Sequence, residues 1–227
     1  FSRHDKDRYR KYLEDVKAGK AKIHSGVLFP YDIVHAYGDE YSLRAIDNTL
    51  EEQWKALPNK VPAGESTLVV VDGSGSMSTP VGNTHVTCHD VANSLGIYFA
   101  EKLTGPYYNS FITFSSRPQF IHFADGLSLQ AKLQILYDHD DCSNTNIEKT
   151  FDLILDVAVR NHLSQDEIPA NVLIVSDMEF DAATYQGGYG WDYTECRGNA
   201  DKALFDTIRT KWENAGYKLP RLVFWNV

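Results

Sequence analysis

The sequence predicts an α/β fold: a doubly wound, mostly parallel sheet with one antiparallel edge strand, preceded by a helical N-terminal extension. Three observations lead there. From Ser66 onward, strand-like apolar runs alternate with amphipathic helical stretches, the pattern of a parallel sheet covered on both faces. The runs at 68–71, 172–175 and 222–225 are continuously apolar rather than alternating, as strands buried on both faces are. Phe111-Ile112-Thr113-Phe114 and Phe120-Ile121-His122-Phe123 flank Arg117-Pro118 closely enough to pair as an antiparallel edge hairpin.

Residues 1–62 read as helices and connectors. Tyr9, Tyr12, Leu13 and Val16 share one helical face, and Gly19 supplies a stop. Basic side chains concentrate at this end (Arg3, Lys6, Arg8, Arg10, Lys11, Lys17, Lys20, Lys22). Asp5, Asp7, Glu14 and Asp15 are interspersed, so the simpler account is a solvated helix face. Pro30 suits the first turn of a short helix ending near Gly38. Leu43, Ile46, Leu50, Trp54 and Leu57 recur at helical spacing, and Pro58 and Pro62 close that segment. Residues 63–227 form the second unit. Its helices are expected at 90–103, with Val91, Leu95, Tyr98 and Phe99 inward, and at 127–137, 147–161 and 201–215.

The first strand of that unit runs into Asp72-Gly73-Ser74-Gly75-Ser76-Met77. A chain leaving a strand tip can curl so that Asp72, Ser74 and Ser76 face one point, with the glycines permitting the curl. One carboxylate and two hydroxyls suit a hard cation, closer to Mg²⁺ practice than to a Ca²⁺ cage. Other uses of a glycine loop fit less well. No Lys follows the glycines as a P-loop requires, and Asp72 stands where a nucleophile elbow needs Gly. An aspartyl-phosphate enzyme usually carries a second acid two residues on, where this chain has Ser74.

Asp72-x-Ser74-x-Ser76 after an apolar strand resembles the metal-ion-dependent adhesion site of von Willebrand factor A (vWA) domains. That family completes its site with a Thr from a second loop and an Asp at the end of a later strand. Thr145, in Ser143-Asn144-Thr145-Asn146 before a helix, and Asp177, after Val172-Leu173-Ile174-Val175-Ser176, match those positions in order. The resemblance implies a vWA/Rossmann-like domain that holds Mg²⁺, with Mn²⁺ or Ca²⁺ as substitutes, through Asp72, Ser74, Ser76, Thr145 and Asp177. It implies a binding module rather than an enzyme, with a protein partner supplying an Asp or Glu to the metal. The helical segment, around Gly19-Lys20-Ala21-Lys22-Ile23 and Leu28-Phe29-Pro30, resembles the part preceding the vWA domain in a family of uncharacterised proteins.

Two stretches depart from the family pattern. A usual vWA domain has one more strand and a C-terminal helix after the strand at Leu222, which this sequence does not reach. The stretch 181–199 is long for a strand-to-helix connection and carries Tyr185, Tyr189, Trp191 and Tyr193 among glycines. Tyr189, Trp191 and Tyr193 are candidates for partner contact, since Tyr and Trp give large contact area at low entropy cost. The competing account is that these rings fold back over the sheet.

Two other function classes stay open at this point. Ro-type ribonucleoproteins join a helical repeat region to a vWA domain, which makes RNA binding an alternative; about sixty helical residues are few for such an array. A metal-dependent phosphohydrolase is the second. A formal net charge of −9 argues against general affinity for nucleic acid or anionic membranes. No apolar run approaches a membrane span, and the first residues are charged rather than signal-like. Cys88, Cys142 and Cys196 are odd in number and far apart, which reads as free thiols in a reducing, cytoplasmic compartment. His85 and His89 lie four apart after the metal motif, and Asp138, His139, Asp140 and Asp141 precede Thr145. The first pair reads as surface or cap residues, the second group as added negative potential near the site.

Overall fold

The structure, a computed structural model, describes residues 5–23, 25–39, 41–61, 66–115, 117–139, 147–177 and 197–227, with the backbone alone at 197–202. The N-terminal segment forms α1 (Lys6–Lys17), α2 (Pro30–Tyr37) and α3 (Asn48–Lys55). Asp5 caps α1 by accepting from the Arg8 N–H, and Gly19 turns the chain away with a φ of +70°. Pro30 opens α2 and Gly38, at φ +94°, ends it; a Cβ on Gly38 would stand 2.7 Å from the Ser42 carbonyl oxygen. The third helix is shorter than the spacing of Leu43 to Leu57 predicts. Asp47 accepts from the Thr49 and Leu50 N–H groups and so fixes the start, leaving Ile46 outside the helix and 57% exposed.

The rest is α/β. In chain order come β1 (Thr67–Asp72), α4 (Cys88–Ala100), β2 (Ser110–Phe114), β3 (Phe120–His122), α5 (Leu129–Asp138), α6 (Ile147–Arg160), β4 (Asn171–Ser176), α7 (Arg197–Asn214) and β5 (Arg221–Asn226). The strands make one five-stranded sheet in the order β3-β2-β1-β4-β5, parallel except for the β2–β3 hairpin at one edge. Successive residues of β1 alternate between two apolar clusters, as pleating requires. Val69 and Val71 join Leu173, Val175 and the apolar faces of α2, α4 and α5. Leu68 and Val70 join Val172, Ile174, Phe151 and Ile154 of α6, and Ile208 and Trp212 of α7.

Two expectations about these elements are corrected. Helix α4 begins at Cys88, because Thr87 and Asp90 form a capping box. Its deeply buried residues are Ala92, Gly96, Ile97, Tyr98 and Ala100, while Val91, Leu95 and Phe99 are half-buried. The helix lies between the sheet and α2, so it has no simple outer face; Gly96 sits where a Cβ would come within 2.6 Å of the Val71 methyl. The run 222–225 is a strand, but not a buried one: Val223, Phe224 and Trp225 are 36%, 38% and 47% exposed. Among the described residues its one sheet neighbour is β4, and edge position leaves both its faces thinly covered.

The N-terminal helices are packed onto the α4–α5 face through specific polar contacts. The buried Glu51 carboxylate of α3 accepts from the backbone N–H groups of Leu129 (2.8 Å) and Gln130 (3.1 Å) at the start of α5, and from the Tyr37 hydroxyl (2.6 Å). An anion there complements the helix N-terminus and satisfies donors that α5 cannot pair internally. Burial and the Glu51 bond together push the Tyr37 hydroxyl pKa upward. The Tyr98 hydroxyl donates to the Pro58 carbonyl and accepts from the Lys60 N–H, both at 2.7 Å. Nδ1 of His35 in α2 lies 2.9 Å from the Asp90 carboxylate in α4.

Candidate metal centre

Asp72 ends β1 and is 2% exposed. Its Oδ1 accepts the Ser74 N–H at 3.0 Å, which folds the chain back over the strand tip. A 3₁₀ turn over Gly75–Ser78 follows, with Ser74 at its cap; Met77 N–H donates to the Ser74 carbonyl and Thr79 N–H to the Ser76 carbonyl, each at 3.0 Å. This winding brings the Ser74 and Ser76 hydroxyl oxygens to 3.1 Å from each other. The curl therefore comes from the 3₁₀ turn. Neither Gly73 nor Gly75 has a positive φ, so the expected need for glycine's conformational freedom is corrected. What Gly75 does provide is room: a Cβ there would meet nothing within 4 Å.

The neighbouring strand brings Asp177. Val71 pairs with Val175 in parallel register, which sets Asp72 beside Ser176 with Asp177 one residue beyond. In such sheets ligands gather at the carboxyl ends of the strands, where both acids stand. The Asp177 N–H donates to the Met77 thioether sulfur at 3.2 Å, joining the two loops across 100 residues of sequence. Cys88 packs beneath them, buried and free; burial first, and the Asp177 charge second, push its thiol pKa up.

Of the five candidate ligands, Asp72, Ser74 and Ser76 are brought together, and Asp177 stands at the adjacent strand end. Thr145 lies outside the described residues, as do Tyr189, Trp191 and Tyr193. Among the described residues no group of three or more His, Cys, Asp or Glu is placed to hold a metal, so His85 and His89 build no such site. A site made of one or two carboxylates and hydroxyls is a different donor set. The residues present fit a hard cation: a nearly buried carboxylate, two hydroxyls within 3.1 Å of each other, and open space over Gly75. Beside Gly73 a crevice opens between α4 and α5, lined by Asn93, Thr113, Ser115 and His139. Nδ1 of His139 is 2.8 Å from the Ile135 carbonyl, which can only accept, so that nitrogen carries the proton.

Sequence reasoning did not find the Met77 contact. An apolar residue after a Ser reads as core, which Met77 is at 0% exposure, and its hydrogen-bond partner cannot be inferred from spacing. Nor did it find Glu51, whose role appears only once α3 meets α5.

The fold and site define an α/β protein with an oxygen-rich loop at the carboxyl end of a central parallel strand. By sequence the chain belongs to the family described as a domain of unknown function, DUF7788, which matches residues 66–227. Residues 1–64 match a second domain of unknown function, DUF2828. The chain is also similar to an uncharacterised protein, L728, of Acanthamoeba polyphaga mimivirus, 31% identical over 222 residues. That match takes in 96% of this chain and 35% of the viral protein, so the chain spans about a third of that relative. Among the described residues no helix is long and apolar enough to cross a membrane.

Proposed function

We propose that this chain is a metal-dependent protein-binding module of the vWA kind. Asp72, Ser74, Ser76, Thr145 and Asp177 would hold Mg²⁺, within a doubly wound domain carrying the α1–α3 segment as an extension. One observation carries the proposal: a buried carboxylate and two adjacent hydroxyls wound onto the tip of β1, beside the strand that ends at Asp177. A cation with so few anionic ligands keeps affinity for an outside oxygen, and the bound ion would supply that attraction. This chain's residues orient the donors and keep one side of the site dry. An Asp or Glu of a protein partner is the matching group.

The test is thermal unfolding of the parent and of Asp72→Ala, in EDTA and in millimolar Mg²⁺. Binding to the native state alone raises the parent's melting temperature by mass action and leaves Asp72→Ala unmoved. Without metal the two should melt within a few degrees of each other, because Asp72 adds little to the apolar core. Equal response of both proteins to Mg²⁺ would place the cation elsewhere and defeat the proposal.

A further inference from the structure

We propose that Met77 is a positioning residue for the candidate cation site, holding the Asp177 loop in fixed relation to the Asp72 loop; this rests on the metal-site reading above. Three observations meet at this residue. Its backbone N–H donates to the Ser74 carbonyl at 3.0 Å, so its place in the 3₁₀ turn sets the path of one candidate ligand. Its sulfur accepts the Asp177 N–H at 3.2 Å, which fixes the backbone of another. The side chain is 0% exposed in the cluster with Val71, Val175 and Cys88, so it has no freedom to follow Asp177 if that loop shifts.

The chemistry separates this role from packing. Leu fills nearly the same volume as Met and is well tolerated in cores. It cannot accept a hydrogen bond, whereas the thioether is a weak but real acceptor. If Met77 only fills space, Leu serves equally well. If it positions Asp177, Leu keeps the fold and loosens the strand end that carries a ligand. The thioether cannot bind the hard cation usefully itself, since Mg²⁺ takes oxygen ligands.

The experiment compares the parent, Met77→Leu and Asp72→Ala by two readouts. The first is amide hydrogen exchange at Asp177 in EDTA, which involves no metal. The second is Mg²⁺ affinity by calorimetric titration. Met77→Leu should speed exchange at the Asp177 amide and weaken Mg²⁺ binding about three- to tenfold, the range of one net hydrogen bond. Selenomethionine at position 77 retains an acceptor of the same shape and should keep parent values. Norleucine at 77 in a Met178→Leu background repeats the test with an unbranched chain lacking sulfur, and covers the case in which Leu disturbs folding. Unchanged exchange and affinity in both proteins that lack sulfur at position 77, with Asp72→Ala unable to bind Mg²⁺, would overturn the Met77 role and leave the metal site standing. Binding of Mg²⁺ that does not depend on Asp72 would overturn both.

Discussion

Strands β4 and β5 are neighbours, run parallel in continuous register, and have similarly apolar sequences, yet their surroundings are opposite. All six residues of β4 are buried, with Val172 and Ile174 at 0% exposure. β5 exposes Val223, Phe224 and Trp225. The contrast teaches that an apolar run predicts a strand while its burial is decided by how many neighbours the topology provides. β4 has strands on both sides and helices over both faces; among the described residues β5 has one strand beside it. The candidate site stands on the closed part. Asp72 and Asp177 stand at the carboxyl ends of two interior strands, in a sheet whose one face is covered by α4, itself backed by α2. Rigid strands and packed helices suit a site whose donors must hold still.

Substitutions can test how far that contrast extends. The largest effect is expected at Ile174→Ala, which empties a fully buried position in β4 and should cost about 4 kcal/mol in chemical denaturation. Next comes Glu51→Ala, on the face closed by the N-terminal helices. It leaves the Leu129 and Gln130 N–H groups without their acceptor and should cost about 3 kcal/mol. A loss under about 0.5 kcal/mol there would mean that α3 is not part of the cooperative unit.

A smaller effect concerns Cys88, close to the site. Its thiol pKa is raised in the folded state, first by burial and then by Asp177. A raised acid pKa adds stability that is fully present below the unfolded thiol's value and is lost as pH rises toward the folded value. Native protein at pH 8 should therefore alkylate at Cys88 far more slowly than the denatured chain, as peptide mass spectrometry of iodoacetamide-treated protein would report. Fast native labelling would show that the region beneath Asp177 opens readily. The smallest effect is expected at β5, where Val223→Thr should change stability by less than about 0.5 kcal/mol. A cost near that of Ile174→Ala would show β5 to be as enclosed as its neighbour.

The parts of the fold legible in the sequence were those written in local periodicity and turn chemistry. The β2–β3 hairpin, the Pro30 start of α2, the Gly38 stop and the alternation of strands with helices all follow from residues close in sequence. The clustering of Asp72, Ser74 and Ser76 was legible for the same reason, since it forms within seven residues. What was not legible depends on tertiary neighbours. The inward face of α4 was legible in part: Tyr98 is buried as expected and Leu95 and Phe99 pack against the core, but Ala92, Gly96, Ile97 and Ala100 are buried more deeply because α2 covers what would otherwise be a solvent side. The extent of α3 was misread because the Asp47 cap outweighs the apolar spacing before it. The exposure of β5 follows from sheet order, which no run of Leu, Val, Phe and Trp encodes.

The most direct measurement of the central claim is paramagnetic line broadening by Mn²⁺, a substitute for Mg²⁺ in hard-oxygen sites. On ¹⁵N-labelled protein, substoichiometric Mn²⁺ should broaden the amides of Gly73, Ser74, Gly75, Ser76 and Asp177 first, reversed by excess Mg²⁺ and absent in Asp72→Ala. Broadening centred on His85 and His89, or on Asp138 and His139, with the strand tip unaffected, would contradict a cation site built on Asp72.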